Sequence, residues 1–416
     1  MVQYHLMDIQ SLYGRIRDDE KQDEQFLHLT ANEPYMSDTA RAFASSRLAD
    51  RYYFGEGDGE LVDFGAFTSL GLPGIAALVK AAEDATKEML GASVVNLSCL
   101  SGVHAMMCAI LSTTEPGEAV MTVHHDHGGH FATKGIVDRI GRKHVFTPNF
   151  NNDELKFDAA AVAKTFKEQN CKALYLDVSY YINPHNLQEI RQALGEAAII
   201  IYDASHTMGL IMGRQFQAPL KEGADVICAN THKTLPGPQK GMIAFRDEDL
   251  GKKANAIIDG CLYSSPHTAS MIALATTILE MKEFGQEFAE QTIANSNALG
   301  DALHKRGYDV RKANTGRWSE NHQVHLMSHT LGKHDELWRK LFRNNINVNF
   351  DSPDVFNQGF FIRLGTQEIT RRGMKEAEME RIADFLQRGL SGDSFADEVT
   401  AFISQYNQAH YSFDNA

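Results

Sequence analysis

The residues most suited to covalent chemistry surround Lys233. This lysine follows the apolar run 224–229 and lies among small and polar residues in Thr231-His232-Lys233-Thr234-Leu235-Pro236-Gly237-Pro238. A lysine at a strand end, followed by a Gly/Pro turn, suits a cleft better than a core. Partial desolvation there lowers the pKa of an amine and frees the nucleophile that forms Schiff bases. The pattern therefore predicts carbonyl chemistry at Lys233.

A second chemical signal is Asp203, which closes the buried run Ile199-Ile200-Ile201-Tyr202 and is followed closely by His206. Open α/β sheets bind ligands at the carboxyl ends of their strands. A carboxylate there can pair with a pyridinium nitrogen and strengthen an electron sink. Asp203 and His206 can also be ordinary polar residues of a strand end. Together with Lys233, Asp203 predicts an enzyme that uses pyridoxal 5′-phosphate (PLP).

An anion site is predicted at Ser101-Gly102-Val103-His104, which follows the strand run 94–97 and opens the helix predicted over 105–111. Amides at a helix N-terminus suit a phosphate, and a glycine allows its close approach. The alternative is that Ser101 only caps the helix.

The densest histidine cluster is His124-His125-Asp126-His127-Gly128-Gly129-His130. Imidazoles and a carboxylate are metal ligands. Adjacent residues of an extended segment point in opposite directions, however, and Gly128-Gly129 indicates a tight turn, so we expect no metal here. The remaining alternatives are a solvated loop, or one imidazole lying flat over an aromatic cofactor, for which His130 is the best candidate.

Arg363 interrupts the apolar run 359–365. An arginine in such a run needs an anionic partner. That partner is either a structural Asp or Glu, or a substrate carboxylate held by two parallel hydrogen bonds.

The elements that must position these residues alternate between strands and helices, which predicts a mostly parallel, doubly wound α/β sheet. We expect an N-terminal arm over 1–60, a large domain over 61–285, and a smaller C-terminal domain and tail over 286–416. The predicted strands of the large domain are 93–97, 119–123, 144–146, 173–178, 198–202, 225–229 and 241–245.

Composition excludes several classes of protein. The chain has 416 residues and a formal net charge of −14, which argues against a nucleic-acid binder. No run approaches the length of a signal peptide core or a membrane span, so we expect a cytoplasmic protein without membrane contact. Five cysteines without close paired spacing argue against zinc and disulfide frameworks.

Several segments resemble the serine hydroxymethyltransferases. These segments are Asp203-Ala204-Ser205-His206-Thr207-Met208-Gly209-Leu210-Ile211, Thr231–Gly241, Gly128-Gly129-His130, Arg363-Leu364-Gly365-Thr366 and Thr370-Arg371-Arg372-Gly373. The resemblance implies PLP fold type I, with a seven-stranded, mostly parallel sheet flanked by helices and a smaller C-terminal α/β domain. It also implies a homodimer with active sites shared between subunits, and cleavage or formation of the Cα–Cβ bond of β-hydroxy-α-amino acids.

The resemblance also implies roles for single residues. Lys233 would form the Schiff base, Asp203 would pair with the pyridinium, and His130 would stack on the ring and could act as a base. The other implied cofactor contacts are Ser101, Gly102 and Val103 at the phosphate, Ser179 and His206 at the phenolic oxygen, and His232 beside the lysine. The implied substrate contacts are Arg363 at the carboxylate, Asn32, and either Tyr52 or the adjacent Tyr53, reaching the partner subunit's site.

Other features resemble the L-threonine transaldolases more closely. Phe54 stands where hydroxymethyltransferases carry a glutamate used in proton transfer and folate chemistry, unless Glu56 takes that place. Gly-Pro-Gln-Lys-Gly at 237–241 and Tyr-Ser-Phe-Asp-Asn at 411–415 are typical of transaldolases. This resemblance implies retro-aldol cleavage of L-threonine to acetaldehyde and a glycyl quinonoid, followed by aldol addition to a second aldehyde. The alternatives are serine or α-methylserine hydroxymethyltransferase, threonine aldolase, and a PLP-fold protein kept as a binding or regulatory subunit.

Overall fold

The structure is a computed structural model that describes residues 9–55, 61–63, 68–148, 150–151, 156–265, 267–328, 330–351 and 361–415. Glu56, the alternative to Phe54, lies outside these ranges. Within them, no helix combines the length and apolar character needed to cross a membrane.

The helices follow the apolar periodicity of the sequence, and several end as their local sequence predicts. The third one, for example, begins at Pro73 and ends at Gly91, which has a φ of 66°. The helices are α1 (Ile9–Asp23), α2 (Asp38–Ala44), α3 (Pro73–Leu90), α4 (Gly102–Thr113), α5 (Thr133–Arg139), α6 (Ala159–Glu168), α7 (Leu187–Leu194), α8 (Met208–Met212), α9 (Pro219–Glu222), α10 (Glu248–Ile257), α11 (Thr268–Lys305), α12 (His334–Phe342), α13 (Gln367–Arg371), α14 (Glu376–Ser391) and α15 (Ala396–Ile403).

The strands fall into one large sheet and several small ones. They are β1 (Leu27–His28), β2 (Leu61–Asp63), β3 (Thr68–Leu70), β4 (Val94–Asn96), β5 (Ala119–Thr122), β6 (Lys143–Phe146), β7 (Phe150–Asn151), β8 (Lys156–Phe157), β9 (Cys171–Leu176), β10 (Ile199–Asp203), β11 (Val226–His232), β12 (Pro236–Phe245), β13 (Gln323–Met327), β14 (Ile346–Asn347), β15 (Asn349–Asp351) and β16 (Phe361–Gly365).

The large sheet has seven strands in the order β4-β12-β11-β10-β9-β5-β6. Strands β6, β5, β9, β10 and β11 run parallel, whereas β12 is antiparallel to both of its neighbours. The predicted fold class is therefore confirmed. Each predicted strand run lies in this sheet, because parallel strands covered on both faces are apolar throughout. The carboxyl ends of β9, β10 and β11 meet at one edge.

The Gly/Pro turn expected after Lys233 is wrong. The chain turns at residues 233–235, and Pro236 opens strand β12 instead. Pro236 pairs with His232 where the register shifts between Asn230 and His232. Proline lacks a backbone donor but is tolerated at the first residue of a strand or at a bulge. Lys233 therefore lies in a hairpin turn between antiparallel strands.

The C-terminal part of the chain has its own apolar core around the antiparallel sheet β13-β16-β15. Helix α11 spans 38 residues and contributes Met271 and Phe288 to the large core but Leu299 and Leu303 to the smaller one. Strand β1 pairs in parallel with β14, so this part of the N-terminal arm packs with the C-terminal residues. The predicted boundaries at 60/61 and 285/286 stay predictions.

Candidate active site

A cavity of about 220 Å³ lies at the carboxyl ends of β9, β10 and β11. It brings together every residue predicted to contact the cofactor. Their individual roles remain predictions. The cavity is lined by Ser101, Gly102, Val103, Met106, His130, Asp177, Val178, Ser179, Asp203, Ser205, His206, Asn230, His232 and Lys233.

The amine of Lys233 contacts the imidazole of His206, with 3.0 Å between Nζ and Nε2. Burial lowers the pKa of Lys233 to about 8, against the opposing effect of Asp203. Burial also holds the pKa of His206 well below its usual value, with Lys233 adding to the effect. His206 is therefore neutral, and its Nε2 can accept a hydrogen bond from the lysine amine. Its Nδ1 then carries the hydrogen and has no acceptor within the described ranges.

Asp203 accepts a hydrogen bond at each of its side-chain oxygens. The hydroxyl of Tyr175 donates to Oδ2 at 2.5 Å, and the backbone N–H of Ser205 donates to Oδ1 at 2.8 Å. Burial keeps the pKa of Tyr175 well above its usual value, so this phenol remains a donor.

The N-terminus of helix α4 closes one side of the cavity. Ser101 caps the helix, because its Oγ accepts from the backbone N–H of His104 at 3.1 Å. A Cβ on Gly102 would lie 2.8 Å from Cβ of Asn230, so only glycine lets the helix approach strand β11 this closely. Capping and anion binding are compatible here, because the serine engages only one of the amides at the helix end.

The imidazole of His130 is half-buried, and burial lowers its pKa. The backbone N–H of Ala132 donates to its Nδ1 at 3.3 Å. The neutral ring therefore carries its hydrogen on Nε2. This tautomer makes His130 a donor toward the cavity and favours stacking over action as a base.

Arg363 is buried on β16, where its Nη1 donates to the backbone oxygen of Ser179 at 3.0 Å. Its guanidinium lies 4.8 Å from the centre of the Tyr180 ring. Gln323 donates to the same Ser179 oxygen at 3.1 Å. These contacts join the small sheet to the segment that lines the cavity.

None of the predicted substrate contacts, Arg363 included, is among the residues that line this cavity. Asn32 follows Thr30, which forms a bridge with Leu364 of β16, so it lies near the strand that carries Arg363. Tyr53 is buried in the large core, whereas 57% of Tyr52 is exposed. Of the two tyrosines, Tyr52 is therefore the one available to a partner subunit.

Sequence reasoning missed five residues that line the cavity, which are Met106, Asp177, Val178, Ser205 and Asn230. Asp177 closes the apolar run Ala173-Leu174-Tyr175-Leu176, which is the same signal that identified Asp203. Asn230 lies inside strand β11, and its Oδ1 is buried without a partner among the described residues. No sequence pattern marks Asn230, because its importance arises from the approach of Gly102 in space.

A separate cluster behind the cavity joins Cys99, His104 and Cys108, whose possible ligand atoms lie within 4.8 Å of one another. The wide sequence spacing of the cysteines did not predict this proximity. His104 uses both ring nitrogens for other contacts, because Nδ1 accepts from Leu100 N–H and Nε2 lies 2.9 Å from Leu262 O. The ring therefore has no free lone pair for a cation in this arrangement.

The chemistry of the cavity fits PLP. A lysine of lowered pKa, the hydrogen-bonded side chain of Asp203 and a helix N-terminus meet at one strand edge. Among the described residues, the buried N–H at Nδ1 of His206 has no acceptor and the buried Oδ1 of Asn230 has no donor. A bound cofactor with polar groups could supply both. A single-ring ligand suits a volume below the ~300 Å³ at which pockets for larger ligands begin.

Comparisons with known proteins agree with this assignment. A family model described as serine hydroxymethyltransferase matches residues 7–386. The chain is 34% identical over 411 residues to a fluorothreonine transaldolase of Streptantibioticus cattleyicolor, and the match covers 96% of this chain but 63% of that protein. It is 33% identical over 396 residues to a serine hydroxymethyltransferase of Methanobrevibacter smithii, covering 93% and 92% of the two chains.

A crystal structure of L-threonine transaldolase from Pseudomonas fluorescens, in its internal aldimine state, superimposes with a TM-score of 0.88. That protein is 30% identical, and the match covers 98% of this chain and 94% of the other. The protein is a PLP-dependent enzyme that acts on hydroxy amino acids. The chain belongs to the serine hydroxymethyltransferase family.

Proposed function

We propose that this enzyme is an L-threonine transaldolase. It would cleave L-threonine to acetaldehyde and transfer the glycine portion to a second aldehyde, giving a new β-hydroxy-α-amino acid. Phe54 carries the proposal, because an apolar ring replaces the glutamate that serves folate chemistry in hydroxymethyltransferases. Its ring lies 5.5 Å from that of Tyr52 and cannot transfer a proton. Similarity to two transaldolases over nearly the whole chain supports the same conclusion.

PLP, when bound, accepts the electron pair that the breaking Cα–Cβ bond leaves on the α-carbon. Lys233 would hold the cofactor covalently and give way to the amino group of threonine. His206 would accept a hydrogen bond from the lysine amine and so orient it, since its Nε2 lies 3.0 Å from Nζ. Asp203 would pair with the pyridine nitrogen, because the hydrogen bonds from Tyr175 and Ser205 hold its carboxyl group in place at the end of β10.

Arg363 would bind the carboxylate of threonine and so fix the orientation of the scissile bond. A guanidinium binds a carboxylate through two parallel hydrogen bonds. Its contacts with Ser179 and Tyr180 hold the side chain extended beside the cavity. His130, with its hydrogen on Nε2, would stack on the cofactor ring and could donate a hydrogen bond through that nitrogen.

The homodimer with shared sites belongs to the same proposal, as does a cytoplasmic location. Large apolar side chains near the cavity are exposed in the single chain. The exposed fraction is 43% for Val103, which lines the site, and 78% for Phe131, which follows the lining residue His130. A second subunit covering this surface would bury them and bring Tyr52 into its partner's site.

Serine or α-methylserine hydroxymethyltransferase and threonine aldolase are the alternatives. The test incubates the PLP-loaded protein with L-threonine and a panel of aldehydes, with and without tetrahydrofolate. A transaldolase releases acetaldehyde in equal amount with new amino acid and ignores folate. Glycine formation from serine that rises with tetrahydrofolate would identify a hydroxymethyltransferase. Acetaldehyde release that no second aldehyde stimulates would identify an aldolase.

A further inference from the structure

Two carboxylates end neighbouring strands of the cavity. Strands β9 and β10 are parallel, and Leu176 pairs with Tyr202, so Asp177 and Asp203 follow side by side. Both line the cavity. Only Asp203 has an expected partner in the cofactor, which leaves the function of the second carboxylate open.

The two carboxylates have different surroundings. Asp203 receives a hydrogen bond at each oxygen, whereas Asp177 receives both of its hydrogen bonds at Oδ2. Its Oδ1 is buried and has no partner in the described part of the chain. Burial, reinforced by Asp203, raises the pKa of Asp177 to about 7. A half-satisfied buried carboxyl group is costly for folding, and such groups persist where they serve a site.

The two donors to Asp177 belong to the segment that carries His130. The backbone N–H of His130 donates to Oδ2 at 3.2 Å, and the hydroxyl of Thr133 donates to the same oxygen at 2.5 Å. Thr133 is buried and opens helix α5. One oxygen therefore connects the end of β9 to the backbone of His130 and to the side chain of Thr133.

The backbone strengthens the same connection. The N–H of Ser179 donates to the oxygen of Gly128 at 2.7 Å, and Gly129 forms an antiparallel bridge with Val178. A Cβ on Gly129 would lie 2.2 Å from the oxygen of Val123, so this loop is packed with no space to spare. The backbone contacts fix the position of the loop, and the Asp177 carboxylate fixes the backbone of His130, from which the imidazole extends.

We propose that Asp177 is a positioning residue that holds the His130 imidazole over the cavity through its hydrogen bonds to His130 N–H and Thr133. This inference rests on the proposed function, in which His130 stacks on the PLP ring. Asp177 acts on the reaction through His130. Its neighbour Asp203, although equivalent in register, contacts neither donor and cannot replace it.

The test compares Asp177→Ala, Asp177→Asn and Thr133→Val with wild type. The readouts are the circular dichroism of bound PLP, the Kd for PLP, and kcat and KM for L-threonine. Asp177→Ala should lower kcat about 100-fold with little change in KM, because misplacing a contact by about 1 Å costs this much. It should also weaken the dichroism of PLP. Asp177→Asn should recover most of both, because the amide oxygen still accepts the two hydrogen bonds.

Thr133→Val keeps the side-chain shape and decides the question if Asp177→Ala fails to fold. Losing one hydrogen bond should lower kcat about tenfold and weaken the dichroism in the same direction. Thr86→Val is the matched control, since Thr86 is equally buried but bonds only within helix α3, to Ala82 O at 2.8 Å. It should leave both readouts unchanged.

Wild-type dichroism and kcat in both Asp177→Ala and Thr133→Val would overturn the inference, as would equal losses in Thr86→Val. Failure of the proposed function gives a different result. In that case wild type transfers no glycine unit between aldehydes, while the variants at Asp177 and Thr133 still weaken the PLP dichroism.

Discussion

At the scale of single residues, the burial that makes the Lys233 amine reactive also lowers the stability of the folded protein. The amine must lose its proton to react, and burial lowers its pKa to about 8 for that purpose. The same burial disfavours the folded state while the amine is charged. The pKa of this lysine is 10.5 in the unfolded chain and about 8 in the folded protein. The loss of folding stability is therefore complete below pH 8, decreases between pH 8 and 10.5, and vanishes above 10.5.

Replacing Lys233 by Met should therefore stabilise the PLP-free protein while abolishing acetaldehyde release. The gain at pH 7 should be at most roughly 3 kcal/mol, and should shrink between pH 8 and 10.5. Thermal unfolding of the PLP-free protein over that pH range measures it. Lys80→Met is the control, because Lys80 is exposed beside Asp84. A Lys233→Met protein that is no more stable at pH 7 than wild type would contradict the burial argument.

The sequence predicted single residues where a polar side chain ends an apolar strand. Lys233 and Asp203 both follow that rule, and the cavity contains both. Asp177 obeys the same rule in the structure, but the predicted strand run 173–178 placed it inside a strand, whereas β9 ends at Leu176. The sequence around Asn230 gives no sign that this residue lines the cavity. Its role becomes visible only in the structure, where its side chain lies against Gly102.

At the scale of elements, the junction of helix α4 with strand β11 shapes the anion site. The apolar runs located every strand of the large sheet but not the direction of β12, since antiparallel and parallel buried strands have similar composition. The proline-rich stretch at 236–238 suggested a turn because proline breaks most strands. Here the bulge between Asn230 and His232 accommodates it.

Gly102→Ala should weaken PLP binding by pushing helix α4 away from β11. The added Cβ would lie 2.8 Å from Cβ of Asn230, closer than packed carbons approach. We expect the Kd for PLP to rise at least about tenfold, as the loss of one good anion contact would cause. Spectroscopic titration of the PLP-free protein measures the effect.

Gly74→Ala is the control for that experiment, because a Cβ there meets nothing within 4 Å. Alanine favours the helix over glycine, so this variant should be slightly stabilised and should bind PLP normally. Equal PLP affinities for Gly102→Ala and Gly74→Ala would show that the approach of α4 to β11 does not matter for the cofactor.

At the scale of the whole molecule, a buried ion pair joins three distant segments. Arg371 of α13 and Glu280 of α11 contact each other at 2.5 Å, and neither side chain is exposed. Glu280 also accepts from the backbone of Phe413, and Asp414 accepts from Asp38 and Thr39 at the start of α2. The C-terminal tail, the long helix and the N-terminal arm are thereby connected. Sequence patterns cannot predict such a pair, because its partners lie far apart in the chain.

Glu280→Gln should destabilise the protein by about 3–5 kcal/mol, because it leaves the Arg371 charge buried without its carboxylate. Urea unfolding measures the loss. The double variant Glu280→Gln, Arg371→Leu should recover part of it by removing the stranded charge. Glu248→Gln, in an exposed pair with Lys252, is the control and should change the unfolding midpoint little. Equal midpoints for both single variants would contradict a structural role for the buried pair.

The central claim is that a glycine unit moves from threonine to another aldehyde. It is tested most directly with L-threonine labelled with ¹³C at every carbon and unlabelled benzaldehyde as acceptor. The account predicts a phenylserine product labelled only at its carboxyl carbon and α-carbon, together with labelled acetaldehyde. A parallel incubation contains ¹³C-labelled serine and tetrahydrofolate. If the first incubation forms no labelled phenylserine, while in the second the β-carbon of serine is transferred to tetrahydrofolate, the enzyme is a hydroxymethyltransferase and the account is wrong.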